Sequence, residues 1–218
     1  MPTPFGRPVT IDRPVPGPLP PSEFDLPLPG VAVWEGPEGI GDTRFDAVDA
    51  PEAPEFPPEL GDDPRIALRR CAGMFATGVT VITTLKGGLV HGMTANAFMS
   101  VSLEPPLVLI SVDRRTKMCS LLHEGNRYGV SVLRESQAAL SDRFAGRPGA
   151  DGPEPRFEVV HDTPLVDGAL AHFVARVARS YWGGDHSLFL GRVEYARYGE
   201  GTPLLFHGGR YERLGQVS

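Results

Sequence analysis

Proline is concentrated at the start of this chain, because sixteen of its twenty-three prolines lie before residue 65. Proline lacks the backbone N–H and fixes φ, so this segment cannot sustain long helices or central strands. It also carries thirteen acidic and three basic side chains, which disfavours compaction. We therefore expect a proline-rich, acidic N-terminal arm over residues 1–63 and one globular domain over residues 64–218. Apolar islands around Trp34 and Phe45 leave open whether the arm is disordered or wraps over the domain in an ordered way.

The segment after the arm carries fourteen acidic and eighteen basic side chains, a mild positive charge that suits a phosphorylated small ligand. It has no stripe of lysine and arginine with interleaved aromatic residues, so we expect no nucleic-acid binding. No run approaches the roughly 18 consecutive apolar residues of a spanning helix, and we see no secretory leader, so we expect a cytoplasmic protein without a membrane segment. Cys71 and Cys119 lie outside any zinc or redox spacing and are predicted to be buried thiols. His161, His172 and His207 are scattered, and we expect no metal site.

From residue 64 the chain changes to segments with helical and β-type patterns. Asp63 can cap a helix and Pro64 can take its first position. The apolar stripe of this helix is formed by Ile66, Leu68, Cys71, Ala72 and Phe75, and its end is predicted near residues 77–78. Runs rich in β-branched residues predict strands over 79–85, 89–94, 107–112, 128–133, 169–181, 187–198 and 204–214, with a hairpin turn at 86–88 and helices over 116–123 and 136–144. This pattern predicts a mainly β fold, a closed or nearly closed barrel with helical decoration.

Two segments in the first half of the domain carry candidate binding residues. Residues 92–100 combine small side chains with polar groups, so that a backbone could approach a flat heteroaromatic ring while Thr94, Asn96 and Ser100 donate hydrogen bonds. The alternative is a strand exit that caps itself. Residues 111–117 leave a strand and open a helix with three cations and two hydroxyls, which suits a phosphate dianion, although a solvated helix entry is an equal alternative. The chain has no Gly-x-Gly-x-x-Gly or Walker loop, which disfavours a Rossmann or P-loop site.

Two further segments lie near the end of the chain. His186 follows Asp185 in a glycine-hinged turn between two predicted strands. Such a histidine can bind a second ligand or move a proton while the carboxylate orients its ring, although an isolated histidine is more often structural. In residues 203–211, Arg210 and Tyr211 could contact a ligand or simply pack.

Taken in order, these segments resemble the flavin reductase-like family, which has the FMN-binding split-barrel fold and includes the reductase components of two-component flavin-dependent monooxygenases. The resemblance spans about residues 66–214. Each motif is weak alone, but the ordered set is specific. The matching segments are 75–84, 91–98, 100–102, 105–108, 112–116, 128–133, 143–146, 184–186 and 203–211.

The resemblance implies a homodimer of split β-barrels with each flavin near the subunit interface. The residues implied to contact the isoalloxazine and ribityl groups are Thr94, Ala95, Asn96 and Ser100. Those implied to hold the ribityl and phosphate end are Ser111, Val112, Asp113, Thr116 and Lys117, with Arg143 and Phe144 flanking them. His186, supported by Asp185, would bind the nicotinamide nucleotide, and Tyr211 would lie on the strand that closes that side. Positioning of the nicotinamide against the flavin would supply most of the catalysis.

The function implied is that of an NAD(P)H:flavin oxidoreductase, which transfers hydride from NADH or NADPH to FMN, with FAD also possible. The reduced flavin would be supplied to a partner monooxygenase. Two alternatives stay open, namely a flavoenzyme that retains FMN and oxidises or oxygenates a small organic substrate, and a non-catalytic flavin-binding interaction protein. Phe206 and Gly208 stand where relatives often have a tyrosine and a basic residue, and the arm lies outside the family core.

Overall fold

The computed structural model describes residues 9–10, 63–147 and 154–215. Its helices are α1 (Pro64–Gly73), α2 (Lys117–Leu121) and α3 (Ala138–Phe144). Its strands are β1 (Val9–Thr10), β2 (Thr77–Gly78), β3 (Thr80–Lys86), β4 (Leu89–Ala95), β5 (Phe98–Leu103), β6 (Pro106–Asp113), β7 (Arg127–Val132), β8 (Phe157–Val160), β9 (Thr163–Val166), β10 (Ala171–Gly183), β11 (His186–Tyr198), β12 (Leu205–His207) and β13 (Arg210–Glu212). Apart from β1, the expectations for the arm lie outside the described residues.

Most strands belong to one antiparallel sheet of eight, in the order β1-β4-β3-β7-β10-β11-β6-β5. A three-stranded sheet, β13-β12-β2, and the β8–β9 hairpin complete the β-structure of the described residues. The large sheet is not closed, since β1 and β5 are its two ends, and the mainly β fold with an open barrel confirms the prediction of a split barrel. No helix among the described residues is long and apolar enough to cross a membrane.

Strands β3 and β7 are buried on both faces because an apolar cluster lies on each side of them. Ile82 and Val130 point into the barrel cluster, which Met118 and Leu122 from the α2 segment also join. On the other side, Val81 belongs to a second cluster formed with α3 and the C-terminal segment. The near-continuous runs of β-branched residues in these strands thus reflect burial on two faces rather than one.

Helix α1 begins as the sequence predicts, since the Asp63 side chain accepts a hydrogen bond from the Arg65 N–H and Pro64 takes the first turn. It ends at Gly73 rather than near residues 77–78, because Thr77 and Gly78 pair with β12 as a strand. The predicted apolar stripe is not covered by the described residues, and only Ala67 of the helix is buried.

The exposure of α1 corrects the prediction for one cysteine. Cys71 lies on the uncovered side of the helix and is exposed, whereas Cys119 is half-buried. The prediction of a buried thiol at Cys71 was therefore wrong, because it assumed that the apolar face of α1 packs against its own domain.

Three further differences concern the strands. Strands β5, β8 and β9 were not predicted from the sequence. The strand predicted over 204–214 is instead the β12–β13 hairpin, because Gly208 and Gly209 adopt positive φ angles of 57° and 86° and turn the chain. Along β10 the pairing with β11 shifts between Val174 and Ala175. Both of these neighbours are buried, so the alternation of inward and outward side chains that is usual in a strand is broken there.

Candidate functional site

A cleft of about 560 Å³ lies between β4, the start of α2 and the end of α3. It brings together residues from three segments that are far apart in the sequence. Its lining residues are His91, Gly92, Met93, Thr94, Asp113, Arg115, Thr116, Lys117, Met118, Phe144 and Ala145. Five predicted site residues, Thr94, Asp113, Thr116, Lys117 and Phe144, therefore share one cavity.

The β4 wall of the cleft is joined to α3 at two points. The Thr94 hydroxyl donates a hydrogen bond of 2.6 Å to the Ser141 carbonyl oxygen. Beside it, the Phe144 ring lies so close to Gly92 that a β-carbon added there would be 2.4 Å from its Cε1 atom. A glycine is therefore needed at position 92 for Phe144 to line the cleft.

The opposite wall is formed where β6 leads into α2. Thr116 caps the helix, since its hydroxyl donates to the Asp113 carbonyl oxygen at 2.7 Å and accepts from the Cys119 N–H at 3.2 Å. Both hydrogen bonds of the Thr116 hydroxyl are thus local to the start of α2. Within the part of the chain that the structure describes, Lys117 forms no ion pair, so its ammonium group is available at the charged end of the cleft.

The carboxylate in the cleft is already neutralised by a neighbour. Arg115 donates to Asp113 through its guanidinium, with a closest distance of 2.7 Å, and through its backbone N–H at 2.8 Å. These hydrogen bonds lower the pKa of Asp113 to about 2. Asp113 is therefore ionised at neutral pH. Its negative charge is offset by Arg115 and not by Lys117.

Several predicted binding residues do not line the cleft. Ala95 and Val112 are buried in the barrel cluster, so only their main-chain atoms are available to a ligand. Asn96 and Ser100 are exposed beyond the end of β4. Ser111 pairs with Leu188 on the outer face of the sheet, away from this cavity.

Arg143 lies next to the cleft rather than in it. Its guanidinium donates a hydrogen bond of 2.7 Å to the Glu154 carboxylate. Its neighbour Phe144 makes an edge contact with Phe157, with ring centroids 6.3 Å apart. Of the two residues predicted to flank the phosphate end, Phe144 lines the cleft and Arg143 does not.

The predicted nicotinamide residues lie at the tip of the β10–β11 hairpin. His186 Nδ1 is 2.7 Å from the Asp185 carboxylate, and this contact lowers the pKa of Asp185. His186 is also the strand partner of Asp113, and the Arg114 N–H donates to the Asp185 carbonyl oxygen. The pair therefore lies beside the strand that leads into the cleft, although it is not part of the cleft lining.

Tyr211 packs the C-terminal hairpin onto α3. Its hydroxyl lies 2.8 Å from both the Ser141 hydroxyl and the Asp142 carboxylate, and the Arg147 guanidinium lies 5.4 Å from its ring centroid. Burial is the main reason that the pKa of the Tyr211 phenol is raised. Tyr211 thus contacts the helix that carries Phe144, and its hydroxyl is engaged there.

Six lining residues were not assigned from the sequence, namely His91, Gly92, Met93, Arg115, Met118 and Ala145. All but Met118 belong to segments that had been singled out as motifs, so the signal was present but had not been resolved to single residues. Among the described residues there is no group of three or more histidine, cysteine, aspartate or glutamate side chains that could hold a metal ion.

The family model and the similar proteins of known function agree on one family. The model of the flavin reductase like domain matches residues 71–215. The chain is 45% identical over 159 residues to an NADH-dependent flavin reductase of Rhodococcus sp, a match that covers 70% of this chain and 89% of the relative. It is 42% identical over 149 residues to the reductase component of 4-hydroxyphenylacetate 3-monooxygenase of Thermus thermophilus, covering 68% of this chain and 95% of the relative.

Solved structures agree with these relatives. Flavin reductase PheA2 in its native state superposes with a TM-score of 0.67 at 44% identity, over 71% of this chain and 100% of that one. The NADH:FAD oxidoreductase SgcE6 of Streptomyces globisporus C-1027, in complex with NAD and FAD fragments, gives a TM-score of 0.66 at 39% identity, over 72% of this chain and 97% of that one. The residues matched by the family model begin after the N-terminal arm.

Proposed function

Because this chain belongs to the flavin reductase-like family, we propose that it is an NADH-dependent flavin reductase that binds FMN in the cleft between β4, α2 and α3. The observation that carries the proposal is the convergence of three separate motifs on one cavity, with Thr94, Lys117 and Phe144 as their representatives. Flavin supplies a two-electron acceptor when it is bound. The protein then has to bind, orient and shield the reactants.

The residues of the cleft fit such a ligand. Met93, Met118 and Phe144 provide an apolar wall for a flat ring, and Gly92 leaves room that a β-carbon would fill. Lys117 supplies a positive charge for a phosphate group. The cleft thus offers an apolar part and a cationic part, which are the two requirements of a phosphorylated aromatic cofactor.

The nicotinamide nucleotide is assigned to the hairpin tip that carries Asp185 and His186. The contact of 2.7 Å between them holds the imidazole ring in one orientation, with Nε2 left to bind a ligand. We assign NADH rather than NADPH as the donor, since the relatives are named as NADH-dependent reductases. A reductase that draws on NADH would work where that cofactor is available, so the cytoplasm stays our prediction for its location.

A homodimer is supported by an apolar outer face of the large sheet. Met99 on β5, Leu109 on β6 and Leu190 on β11 are neighbours in one row across three strands. Met99 is 54% exposed in one chain, and the apolar side of α1 is exposed as well. Water-exposed apolar rows of this kind are typical of subunit interfaces.

The proposed role of the reduced flavin is to serve a partner monooxygenase. This part of the proposal rests on relatives that are named as reductase components of monooxygenases, including those acting on 4-hydroxyphenylacetate and 4-nitrophenol. The residues of this chain do not identify the substrate of such a partner.

Anaerobic stopped-flow spectroscopy tests the proposal. The flavin bound to purified protein is first identified by mass spectrometry, and its reduction is then followed with NADH and with NADPH. We expect rapid bleaching of FMN by NADH. Bleaching only by another organic substrate would support a flavoenzyme that retains its cofactor, and flavin binding without any reduction would support a carrier; either result would refute the reductase.

A further inference from the structure

We propose that His91 is a proton-linked ligand of the flavin phosphate, which makes the cleft prefer the terminal monophosphate of FMN to the phosphodiester of FAD. This inference rests on the proposed binding of flavin in the cleft. No comparison or motif assigns a role to His91. Its assignment comes from its position on β4, from the charges around it and from the chemistry of the two phosphate groups.

The position of His91 follows from the direction of β4 along the cleft. Thr94 is bound to Ser141 of α3 at one end of the strand segment. His91 is three residues earlier, and a strand rise of about 3.4 Å per residue separates the two α-carbons by about 10 Å. His91 and Lys117 both line the cleft, and the charge of Lys117 contributes to the lowered pKa of His91, so this end of β4 faces the cationic part of the cleft. His91 and Lys117 therefore flank the place proposed for the phosphate.

The charged groups that line the cleft around His91 are few in the described part of the chain. Lys117 comes from α2, and Asp113 and Arg115 come from the segment before it, where they bind each other. The other elements next to His91 contribute uncharged side chains, namely Thr84 on β3 and Phe144 on α3. Because Asp113 and Arg115 offset each other, the net charge that acts on His91 is the positive charge of Lys117.

Burial, and secondly the charge of Lys117, lower the pKa of His91 below its usual value of 6.5. The imidazole is therefore mostly neutral at pH 7 in the flavin-free protein. A phosphate dianion placed between His91 and Lys117 reverses the electrostatic effect and favours the imidazolium. Binding then takes up a proton, so the affinity for FMN falls as the pH rises through the pKa that His91 has in the complex.

The two flavin nucleotides differ in the charge they offer to His91. A terminal phosphate monoester has a second pKa near 6 and carries close to two negative charges at neutral pH. Each phosphorus of FAD carries one negative charge and has one free oxygen fewer. Lys117 neutralises one negative charge of the FMN phosphate. A protonated His91 would neutralise the second negative charge. We therefore expect proton uptake to be greatest with FMN, smaller with FAD and absent with riboflavin.

Isothermal titration calorimetry of the full, flavin-free chain tests this inference. Binding of FMN, FAD and riboflavin is measured at pH 7 in two buffers with different ionisation enthalpies, which gives the number of protons taken up. We expect His91→Asn to abolish the His91-dependent proton uptake and to weaken FMN about tenfold, with riboflavin unchanged. His123→Asn is the matched control, since His123 is exposed and does not line the cleft.

Three results would overturn the inference: equal proton uptake with FMN in wild type and His91→Asn, equal proton uptake with all three flavins, or equal weakening of FMN and riboflavin by the substitution. Failure of the proposed function is distinguishable, because the wild type would then bind none of the flavins. If the variant does not fold, the pKa of His91 is measured instead by NMR of the wild type labelled with ¹⁵N-histidine, with and without each flavin. The His91 pKa must rise with FMN and not with riboflavin; no rise with FMN would refute the assignment.

Discussion

At the scale of single residues, the contact between Gly92 and Phe144 controls the shape of the cleft. A β-carbon at position 92 would lie 2.4 Å from Phe144 Cε1. We predict that Gly92→Ala displaces the Phe144 ring into the space of the ligand and weakens FMN by at least about tenfold, because overpacking of this kind typically costs about 1–3 kcal/mol. Quenching of flavin fluorescence on titration measures the effect.

The control for this substitution is Gly73→Ala at the end of α1, where a β-carbon would meet no atom within 4 Å. Its affinity for FMN should equal that of the wild type. Unchanged FMN binding in Gly92→Ala would mean that Phe144 does not shape the flavin site.

Lys117 is the side chain on which the phosphate assignment depends most directly. We predict that Lys117→Ala weakens FMN relative to riboflavin by about 1.5–3 kcal/mol, the value of a hydrogen bond to a charged group. The measurement is the ratio of the two dissociation constants in the variant and in the wild type. Lys86→Ala is a matched control at an exposed position. If the ratio is unchanged in Lys117→Ala, the phosphate does not bind at this end of the cleft.

His186 tests the assignment of the nicotinamide side. We predict that His186→Ala raises the apparent KM for NADH about tenfold while that for FMN changes little, because the hairpin tip lies outside the flavin cleft. Asp185→Asn keeps a hydrogen-bonding side chain next to the imidazole and should have a smaller effect. Steady-state kinetics with each substrate varied in turn gives both values. Equal changes for the two substrates would reject the assignment.

At the scale of elements, local signals predicted the helix and strand starts well. Asp63 and Pro64 mark the start of α1, and the glycine turn at 86–88 joins β3 to β4. The end of α1 was missed because Thr77 and Gly78 form a strand only through pairing with β12, which lies more than a hundred residues away in the sequence. Strand β5 was missed because its residues had been interpreted as a polar strand exit.

An ion-pair network joins three strands on the outer face of the sheet. Glu194 on β11 accepts hydrogen bonds from Arg127 on β7 at 2.5 Å and from Arg176 on β10 at 2.7 Å. Burial alone would raise the pKa of Glu194, but the two arginines more than reverse this, and the pKa is lowered from 4.5. The stabilisation is therefore complete above about pH 4.5 and is lost as the pH falls through the pKa of the folded state.

We predict that Glu194→Gln lowers the free energy of unfolding at pH 7 by about 1–3 kcal/mol, because it removes charge-assisted hydrogen bonds to partly buried arginines. The difference from wild type should shrink on acidification below about pH 4.5. Urea unfolding at several pH values measures both effects, and Glu200→Gln at an exposed position is the control. A difference that stays constant from pH 7 to acid conditions would contradict the network.

At the scale of the whole molecule, the order of the motifs predicted the fold and five of the eleven residues that line the cleft. Thr94, Thr116, Lys117 and Phe144 meet in one cavity as expected. What the sequence could not supply was the direction of side chains on neighbouring strands. Val112 points into the core and Ser111 to the outer face, and this alternation depends on the registers of β6 with β5 and β11.

The outer face gives a prediction about assembly. We expect Leu190→Arg to place a charge in the apolar row that also contains Met99 and Leu109, and so to convert the proposed dimer to a monomer. Sedimentation velocity measures the change, and Val159→Arg on the exposed strand β8 is the control. If wild type and Leu190→Arg sediment alike, this face is not the subunit interface.

The proposed flavin site is the cleft between β4, α2 and α3. A fluorescence titration of purified, flavin-free protein with FMN tests it most directly, with Lys117→Ala measured in parallel. We expect saturable quenching with a dissociation constant in the micromolar range or below, and weaker binding by the variant. An absence of saturation in the wild type with FMN, FAD and riboflavin alike would contradict it.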